Sequence, residues 1–320
     1  MTIKIRCDKI LKQWNFYVQR KHNSAQEEAK MDKFKGIFPA LLTPFDKNDN
    51  VNTTVLEEIT DYNMKKGVKG FYVGGSTAEA FMLTEDERIK VMETVNRVAK
   101  DKVTLIAHVG CISTAQAIRL AKEAKEMGYD AISAVAPFYY KFSFEEIKKY
   151  YFDIVDAVDL PMLIYNFPAF SGVNLTVDNI SEFLMDDRFL GVKHTSNDYF
   201  ALEQFKAAFP DKIVYNGFDE MFMAGLSMGA DGAIGSTFNL MAEKFIRIQN
   251  LFAENKVEEA REVQKEANVI IRALCKVGVM QGEKAVMDAL GFDMGPARAP
   301  FAPLTEEQKK ELVDTVLPLL

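Results

Sequence analysis

The sequence predicts a (β/α)8 barrel, the TIM-barrel architecture, with a C-terminal helical extension. Two observations lead to this fold class: short apolar runs alternate with amphipathic stretches along most of the chain, and there are eight such runs. Eight parallel strands, each followed by a helix, close this kind of barrel. The runs are rich in Val, Ile, Phe, Tyr and Ala and show little polar alternation, which is typical of strands buried on both faces.

The elements follow one another in a regular order. The predicted strands are Gly36–Leu42, Gly70–Val73, Val103–Val109, Ala131–Ala136, Pro161–Tyr165, Leu190–Lys193, Ile213–Asn216 and Gly232–Gly235. Predicted helices such as Thr84–Ala99 and Ser113–Met127 lie between them, with apolar residues on one face. Ser143, ahead of two glutamates, is typical of a helix start. A doubly wound open sheet is the main alternative, but no Gly-rich dinucleotide loop follows the first run.

The chain divides into three predicted parts. Residues 31–253 form the barrel, and residues 254–320 form a helical cluster packed on it. The predicted helices of the cluster are Val257–Gly278, Gly282–Leu290 and Thr305–Leu319. Residues 1–30 are set apart as an N-terminal extension, for which two interpretations stay open. Either Met31 is the natural start and the upstream segment is non-native or disordered, or the segment is a genuine helical appendage.

Composition and charge exclude several classes of partner. The 320 residues are 48% hydrophobic and 27% charged, with a formal net charge of −7, whereas nucleic acids and anionic membranes bind basic patches. No apolar stretch reaches the roughly 18 residues of a membrane span, and no secretory signal is visible. Three scattered cysteines fit a reducing compartment. We therefore expect a cytoplasmic protein that binds neither nucleic acid nor membrane.

Lys193 and Tyr165 are the candidate catalytic residues, each at the end of an apolar run. Burial lowers the pKa of a lysine, and its neutral amine is a nucleophile towards carbonyl groups. The alternative is a lysine that reaches the surface or pairs with a carboxylate. A phenol can relay protons beside a Schiff base. The pair indicates carbonyl chemistry at the C-terminal ends of the strands, and His194 should face away from Lys193 because neighbouring strand residues alternate sides.

Other strand ends carry polar residues that suit a ligand. Adjacent glycines followed by Ser76 and Thr77 suit a carboxylate or phosphate, although a tight capped turn is the alternative. Asp219 and Glu220 suit sugar hydroxyls or a helix cap. Ser236 follows the eighth run among small residues. Three scattered histidines are too few for a metal cluster, so no metal is expected.

Seven motifs resemble a known family. They are Gly-Gly-Ser-Thr at 74–77, Ala-His-Val-Gly-Cys at 107–111, Pro-Phe-Tyr-Tyr at 137–140, Tyr-Asn-Phe-Pro-Ala-Phe-Ser-Gly at 165–172, Gly-Val-Lys-His-Thr-Ser at 191–196, Tyr-Asn-Gly-Phe-Asp-Glu at 215–220 and Gly-Ser-Thr-Phe-Asn at 235–239. With these motifs the chain, from about Lys35 onward, resembles the N-acetylneuraminate lyase branch of the dihydrodipicolinate-synthase-like class I aldolases.

The resemblance implies a role for each site residue. Lys193 would be the Schiff-base lysine, Tyr165 the proton-relay phenol, and Ser76 and Thr77 the ligands of the pyruvate carboxylate. The residues implied to contact the sugar-derived hydroxyls are Thr195, Gly217, Asp219, Glu220 and Ser236. Tyr139, in an aromatic loop, resembles a tyrosine that family members often supply across a subunit interface, which implies a homotetramer. No organic cofactor is implied.

Phe170 separates this chain from one branch of the family, and Ala78 departs from the family's usual motif. Dihydrodipicolinate synthases usually carry an arginine where Phe170 stands, and an uncharged residue there favours a neutral polyol aldehyde over an amino-acid semialdehyde. The family's usual Gly-Ser-Thr-Gly-Glu reads Gly-Ser-Thr-Ala-Glu, with Ala78. The alanine strains the loop only if that position requires a positive φ.

The resemblance implies reversible cleavage of N-acetylneuraminate (sialic acid) to pyruvate and N-acetylmannosamine, so the expected partners are these small molecules. Two alternatives stay open. A sibling aldolase acting on another 2-keto acid, such as a 2-keto-3-deoxy sugar acid, would use the same lysine and tyrosine. A non-catalytic ligand-binding barrel is the other alternative, because a fold by itself does not guarantee activity.

Overall fold

The structure, a computed structural model, describes residues 31–320. The chain separates into two units, residues 1–35 and residues 36–320, and every feature described below belongs to the second unit. The predicted extension, residues 1–30, lies outside the described residues, so both interpretations of it stay open.

Eight parallel strands form a barrel within residues 36–320. They are β1 (Gly36–Pro39), β2 (Gly70–Val73), β3 (Thr104–His108), β4 (Ala131–Val135), β5 (Met162–Asn166), β6 (Phe189–His194), β7 (Ile213–Asn216) and β8 (Gly232–Gly235). From β2 to β8 each strand pairs with the next in sequence, β8 pairs with β1, and a bridge between Ala40 and Tyr72 joins the end of β1 to β2. The predicted fold class is confirmed.

Helices surround the barrel. They are α1 (Thr53–Lys65), α2 (Glu85–Ala99), α3 (Thr114–Met127), α4 (Phe144–Ala157), the short α5 (Pro168–Ser171), α6 (Val177–Leu184), α7 (Tyr199–Ala208), α8 (Phe222–Ser227) and α9 (Phe238–Ala253). Thr84 and Ser143 each close a capping box with a glutamate three residues later, so the helix starts follow from the local sequence. No helix among residues 31–320 combines the length and apolarity needed to cross a membrane.

The first strand is shorter than predicted. It ends at Pro39, whereas the apolar run continues to Leu42. The Leu42 N–H lies 3.4 Å from the side-chain Oδ1 of Asn239 instead of joining the ladder. Ala40 and Leu41 still donate main-chain hydrogen bonds to Gly235 and Tyr72, and all three residues of this stretch are buried in the core.

Large side chains fill the barrel interior. The rings of Phe38 and Tyr215 meet edge to face with centroids 5.5 Å apart, and both residues are fully buried. The Tyr72 hydroxyl lies 3.0 Å from Ser133 Oγ across the barrel. The interior is thus a packed core and not a pore, and a ligand site must lie above it, at the C-terminal ends of the strands.

Three further helices follow the barrel: α10 (Val257–Val277), α11 (Val279–Ala289) and α12 (Glu306–Val316). Helix α10 reaches the loop after β7, where Gln264 Nε2 donates to the Asp219 carbonyl at 3.2 Å and Asn268 Nδ2 donates to the Glu220 carbonyl at 3.1 Å. The predicted start of α11 at Gly282 is wrong. The helix begins at Val279, and Gly282 lies within it, at a position where a Cβ would come within 2.9 Å of the Leu274 side chain.

Candidate active site

Lys193 lies in β6, and its side chain is enclosed between two aromatic rings. The Nζ atom stands 4.5 Å from the centroid of Tyr72 and 4.2 Å from that of Tyr165, and the residue is 5% exposed. Burial lowers the pKa of Lys193 to about 7, while the negative charge of Asp219 opposes the shift. A substantial fraction of this lysine is therefore a neutral amine near neutral pH, the form that attacks carbonyl carbons.

Tyr165 faces Lys193 from the adjacent strand. The two residues are register partners in the β5–β6 pair. Burial raises the pKa of Tyr165 to about 12, and hydrogen bonding with the side chains of Ser76 and Thr195 opposes the rise. The phenol is therefore protonated at neutral pH, and it lies beside two other hydroxyl groups and the amine.

The loop after β2 brings Ser76 and Thr77 to the same end of the barrel. Gly74 adopts a φ of +73°, and a Cβ on Gly75 would come within 2.6 Å of the Tyr72 ring, so both glycines are required by the path of the chain. Ser76–Ala78 then forms one 3-10 turn. Ser76 and Thr77 are both half-buried in this turn.

The departure from the family pattern at Ala78 is harmless. The non-glycine residue with a positive φ in this loop is Glu79, at +59°, and not Ala78. The Glu79 carboxylate is held by Lys284 of α11, with Nζ 2.6 Å from Oε1, and by the Arg298 N–H, 2.6 Å from Oε2. The left-handed residue is thus fixed by two partners from the C-terminal helical region.

Asp219 joins the loops after β7 and β8. Its Oδ2 accepts hydrogen bonds from the Thr237 N–H at 2.8 Å and the Thr237 hydroxyl at 2.7 Å. A Cβ on Gly235 would lie 2.1 Å from Asp219 Oδ1, so the glycine makes room for the carboxylate. Burial raises the pKa of Asp219 to about 6. Asp219 therefore caps the start of α9, while the adjacent Glu220 is exposed.

Thr195, Gly217 and Ser236 lie on the same side of the barrel mouth. A Cβ on Gly217 would lie 1.9 Å from Thr195 Oγ1, so these residues are packed against each other. The Thr195 hydroxyl also lies within hydrogen-bonding reach of the Tyr165 phenol. Ser236 is half-buried next to the fully buried Glu283 of α11, and its hydrogen bonding opposes the burial that raises the pKa of Glu283.

His194 faces away from Lys193, as the strand alternation predicts. Its Nδ1 accepts from Asn166 Nδ2 at 3.0 Å, and its Nε2 lies 3.0 Å from the Asp198 carbonyl oxygen. The ring also meets Phe205 of α7 edge to face. The imidazole therefore holds β6 against the helix layer.

Tyr139 is not brought to the site of its own chain. It is 84% exposed with a φ of +76°, and its ring meets that of Tyr140 at a centroid distance of 5.0 Å. Phe170 is also exposed, but its ring packs on Phe167, which in turn stacks on Tyr165. The position that separates the branches of the family is therefore two rings away from the Tyr165 phenol.

Four site residues were not predicted: Tyr72, His108, Glu283 and Lys284. A tyrosine within a buried strand carries no signal, and the sequence assigns His108 no role beyond its place in the 107–111 motif. A stronger signal is present in Glu283 and Lys284, two adjacent charged residues within a mainly apolar helical stretch. Charged residues are rarely buried unless they are paired, so such a pair indicates a specific role.

Fold and site define a (β/α)8 protein with a near-neutral buried lysine beside a tyrosine at the strand ends. The profile of the dihydrodipicolinate synthetase family matches residues 33–318, and the chain belongs to this family. The N-acetylneuraminate lyase of Rhizobium meliloti (strain 1021) is 43% identical over 288 residues, which cover 90% of this chain and 96% of that protein.

Solved structures agree with this assignment. CdNal from Clostridium difficile, determined in complex with mannosamine, has a TM-score of 0.88 and 40% identity, covering 89% of this chain and 99% of its own. A catalytic lysine mutant of the Ruminococcus gnavus sialic acid aldolase has a TM-score of 0.87 and 34% identity, covering 90% of this chain and 97% of its own.

Proposed function

We propose that the protein is an N-acetylneuraminate lyase, an enzyme that reversibly cleaves sialic acid to pyruvate and N-acetylmannosamine through a Schiff base on Lys193. The observation that carries this proposal is the buried Lys193 amine between the Tyr72 and Tyr165 rings. The relatives named above are an N-acetylneuraminate lyase and a sialic acid aldolase with a catalytic lysine, and they support the same chemistry.

The first step forms the carbon–nitrogen bond. The neutral Lys193 amine attacks the C2 ketone of the open-chain sugar acid, and loss of water leaves an iminium ion. The pKa of about 7 makes this attack possible near neutral pH without a separate base for the lysine. The iminium then accepts electrons, so no metal or organic cofactor is needed for this chemistry.

The second step breaks the C3–C4 bond. Removal of the C4 hydroxyl proton, relayed through the Tyr165 phenol and the substrate carboxylate, converts C4 to an aldehyde and sends the bonding electrons into the iminium. The products at this point are N-acetylmannosamine and an enamine. Protonation of the enamine at C3 and addition of water release pyruvate and the free lysine. Tyr165 suits a relay because its hydroxyl lies beside those of Ser76 and Thr195.

Binding is divided between the two sides of the barrel mouth. Ser76 and Thr77, in the turn after β2, are proposed to hold the pyruvate carboxylate. The residues proposed to contact the hydroxyls of the sugar-derived part are Thr195, Gly217, Asp219, Glu220 and Ser236. The apolar Phe170 side chain supports a neutral aldehyde as the second product, because it offers no cation for a second carboxylate.

A substrate panel tests the proposed function. Pyruvate release would be measured with N-acetylneuraminate and with 2-keto-3-deoxy sugar acids at matched concentrations. The proposal predicts that N-acetylneuraminate has the highest kcat/KM. A higher kcat/KM for a shorter sugar acid would favour the sibling aldolase, and a lack of turnover with every substrate would favour a binding barrel.

We also propose that the enzyme is a cytoplasmic homotetramer in which Tyr139 completes the site of a neighbouring subunit. The exposed Tyr139 and Tyr140 rings support a covered surface, because such aromatic clusters rarely face solvent in a monomer. Inactive Lys193→Ala and Tyr139→Ala subunits, mixed and allowed to exchange, should recover activity. A fully active monomer in sedimentation would exclude this arrangement, and an active tetramer without complementation would place Tyr139 in its own site.

A further inference from the structure

His108 is a buried histidine beside the proposed pyruvate site that the reaction steps above do not use. It ends β3 and is 2% exposed. Its Nδ1 lies 3.0 Å from the Gly74 carbonyl oxygen, and its Nε2 accepts the Val135 N–H at 3.3 Å. Both ring nitrogens thus have partners, one from the loop after β2 and one from β4.

The two partners determine the tautomer of His108. A backbone N–H can only donate, so Nε2 must be the acceptor and the proton of the neutral ring resides on Nδ1. The Nδ1–H therefore donates to the Gly74 carbonyl. Burial and the positive charges of Arg88 and Lys193 lower the pKa of His108 well below its usual range, which keeps the ring neutral.

The surroundings hold the ring in place. Arg88 donates to the His108 carbonyl at 2.8 Å and to the Gly110 carbonyl at 3.1 Å, which fixes the main chain on both sides of Val109. A Cβ on Gly110 would lie 2.8 Å from His108 Nε2, so the glycine leaves space for the imidazole. The ring also meets the Tyr165 ring edge to face at 6.0 Å.

The bonded carbonyl lies at the start of the loop that carries Ser76 and Thr77. Gly74 has a φ of +73°, which commits the chain to a sharp turn. Because the peptide unit is planar and trans, fixing the Gly74 carbonyl also fixes the opposite direction of the Gly75 N–H. The path from Gly75 into the 3-10 turn depends on this one peptide plane.

We propose that His108 is a positioning residue, a neutral imidazole whose Nδ1–H holds the Gly74 carbonyl and thereby sets the loop Gly74–Glu79 for the pyruvate carboxylate. This inference rests on the proposed function, since it assigns the loop to pyruvate. It predicts that loss of the Nδ1–H weakens pyruvate binding, whereas loss of the Nε2 acceptor affects mainly the β3–β4 contact.

Two amide variants separate the two bonds. Asparagine in His108→Asn places an N–H near the position of Nδ1, and glutamine in His108→Gln places an oxygen near that of Nε2. Pyruvate binding would be measured as the half-saturating pyruvate concentration for borohydride trapping, beside thermal unfolding. We expect His108→Gln to raise this concentration about 3- to 10-fold, the effect of one lost neutral hydrogen bond, and His108→Asn to change it less than about 3-fold.

The reverse order, or equal effects of the two variants at equal stability, would overturn the proposal. If a variant does not fold, ¹⁵N NMR of the histidines in the wild-type protein determines the tautomer of His108 directly. We expect a neutral ring protonated at Nδ1, and an Nε2-protonated ring would contradict the inference. Wild-type protein that traps no pyruvate at all would instead overturn the proposed function, so the two failures are distinguishable.

Discussion

The two sides of the barrel mouth differ in how their buried carboxylates are held. On the side of β2 and β3, the Gly74 carbonyl has His108, and the Glu79 carboxylate has Lys284 and the Arg298 N–H. On the side of β7 and β8, Asp219 has a pKa raised to about 6. Glu283 is fully buried near it, where burial and the charge of Asp219 raise its pKa and hydrogen bonding with Ser236 opposes the rise.

This difference matches the two parts of the proposed substrate. The pyruvate part is common to every 2-keto acid that the family could cleave, and a loop held at Gly74 and Glu79 can be set for it before binding. The sugar part is longer and variable, and it is proposed to meet Asp219, which Thr237 holds in place, and the exposed Glu220. We infer that the first side provides the Schiff-base chemistry and the second provides specificity.

Breaking the buried ion pair should have the largest effect. Lys284→Met leaves the Glu79 carboxylate buried without its cation, and we expect a loss of about 3–5 kcal/mol in the free energy of unfolding. Urea denaturation would measure it. The double variant Glu79→Gln/Lys284→Met removes both charges and should recover most of the loss. A single variant as stable as the wild type would show that the loop does not depend on this pair.

On the specificity side, Glu220→Gln should separate sugar turnover from pyruvate chemistry. The loss of a charged hydrogen bond to a substrate hydroxyl should lower kcat/KM for N-acetylneuraminate about 10-fold or more. Trapping of pyruvate should be unchanged, because pyruvate is too short to reach Glu220. Steady-state kinetics beside borohydride trapping checks both. Equal losses in the two assays would mean that Glu220 has a structural role.

The pH dependence of Schiff-base formation should show the effect of the Asp219 charge on the pKa of Lys193. With subsaturating pyruvate, the trapping rate should rise with pH through about 7, as Lys193 becomes the neutral amine. Asp219 opposes the lowering of the Lys193 pKa, so Asp219→Asn should move the midpoint to lower pH. A midpoint near the usual lysine value of 10.5 would contradict the described burial of Lys193.

Glu283→Gln should have the smallest effect, on stability alone. The pKa of Glu283 is raised well above 4.5 by burial, so the folded state holds a proton that the unfolded state releases. The wild type should therefore lose stability as pH rises above about 4.5, towards the folded-state pKa. The neutral glutamine avoids this loss. The melting temperature of the variant, relative to that of the wild type, should therefore increase from pH 5 to pH 8. A constant difference across this range would mean that Glu283 does not titrate with folding.

The sequence predicts the fold well because the strands are continuous apolar runs, and a barrel mouth collects the residues at their ends. Lys193 and Tyr165 were found by this rule, and the structure makes them register partners. The contacts of His108 and Lys284 were not found. His108 bonds Gly74, 34 positions away, and Lys284 pairs with Glu79 from a helix beyond the barrel. The adjacent charges at Glu283 and Lys284 are a local signal of a specific role, but the identity of each partner depends on tertiary packing and leaves no local pattern.

Phe170 and Gly282 also show what the sequence can and cannot predict. The chemistry of Phe170 could be interpreted from its motif alone, but its ring contact with Phe167 required the fold. The sequence predicts a helix that starts at Gly282, and glycine usually disfavours helix interiors. The structure retains it inside α11 because the Leu274 and Leu312 side chains pack close to it.

The central claim is that Lys193 forms the Schiff base, and borohydride trapping with peptide mapping tests it most directly. Lys212→Met is the matched control, since Lys212 is also buried but its Nζ donates to the carbonyl oxygens of Asp186 and Phe189 at 3.2 and 2.6 Å. With pyruvate, we expect one reduced adduct on the peptide containing Lys193, unchanged in Lys212→Met and absent in a folded Lys193→Ala variant. Pyruvate still trapped on Lys193→Ala would contradict the account, because another lysine would then carry the chemistry.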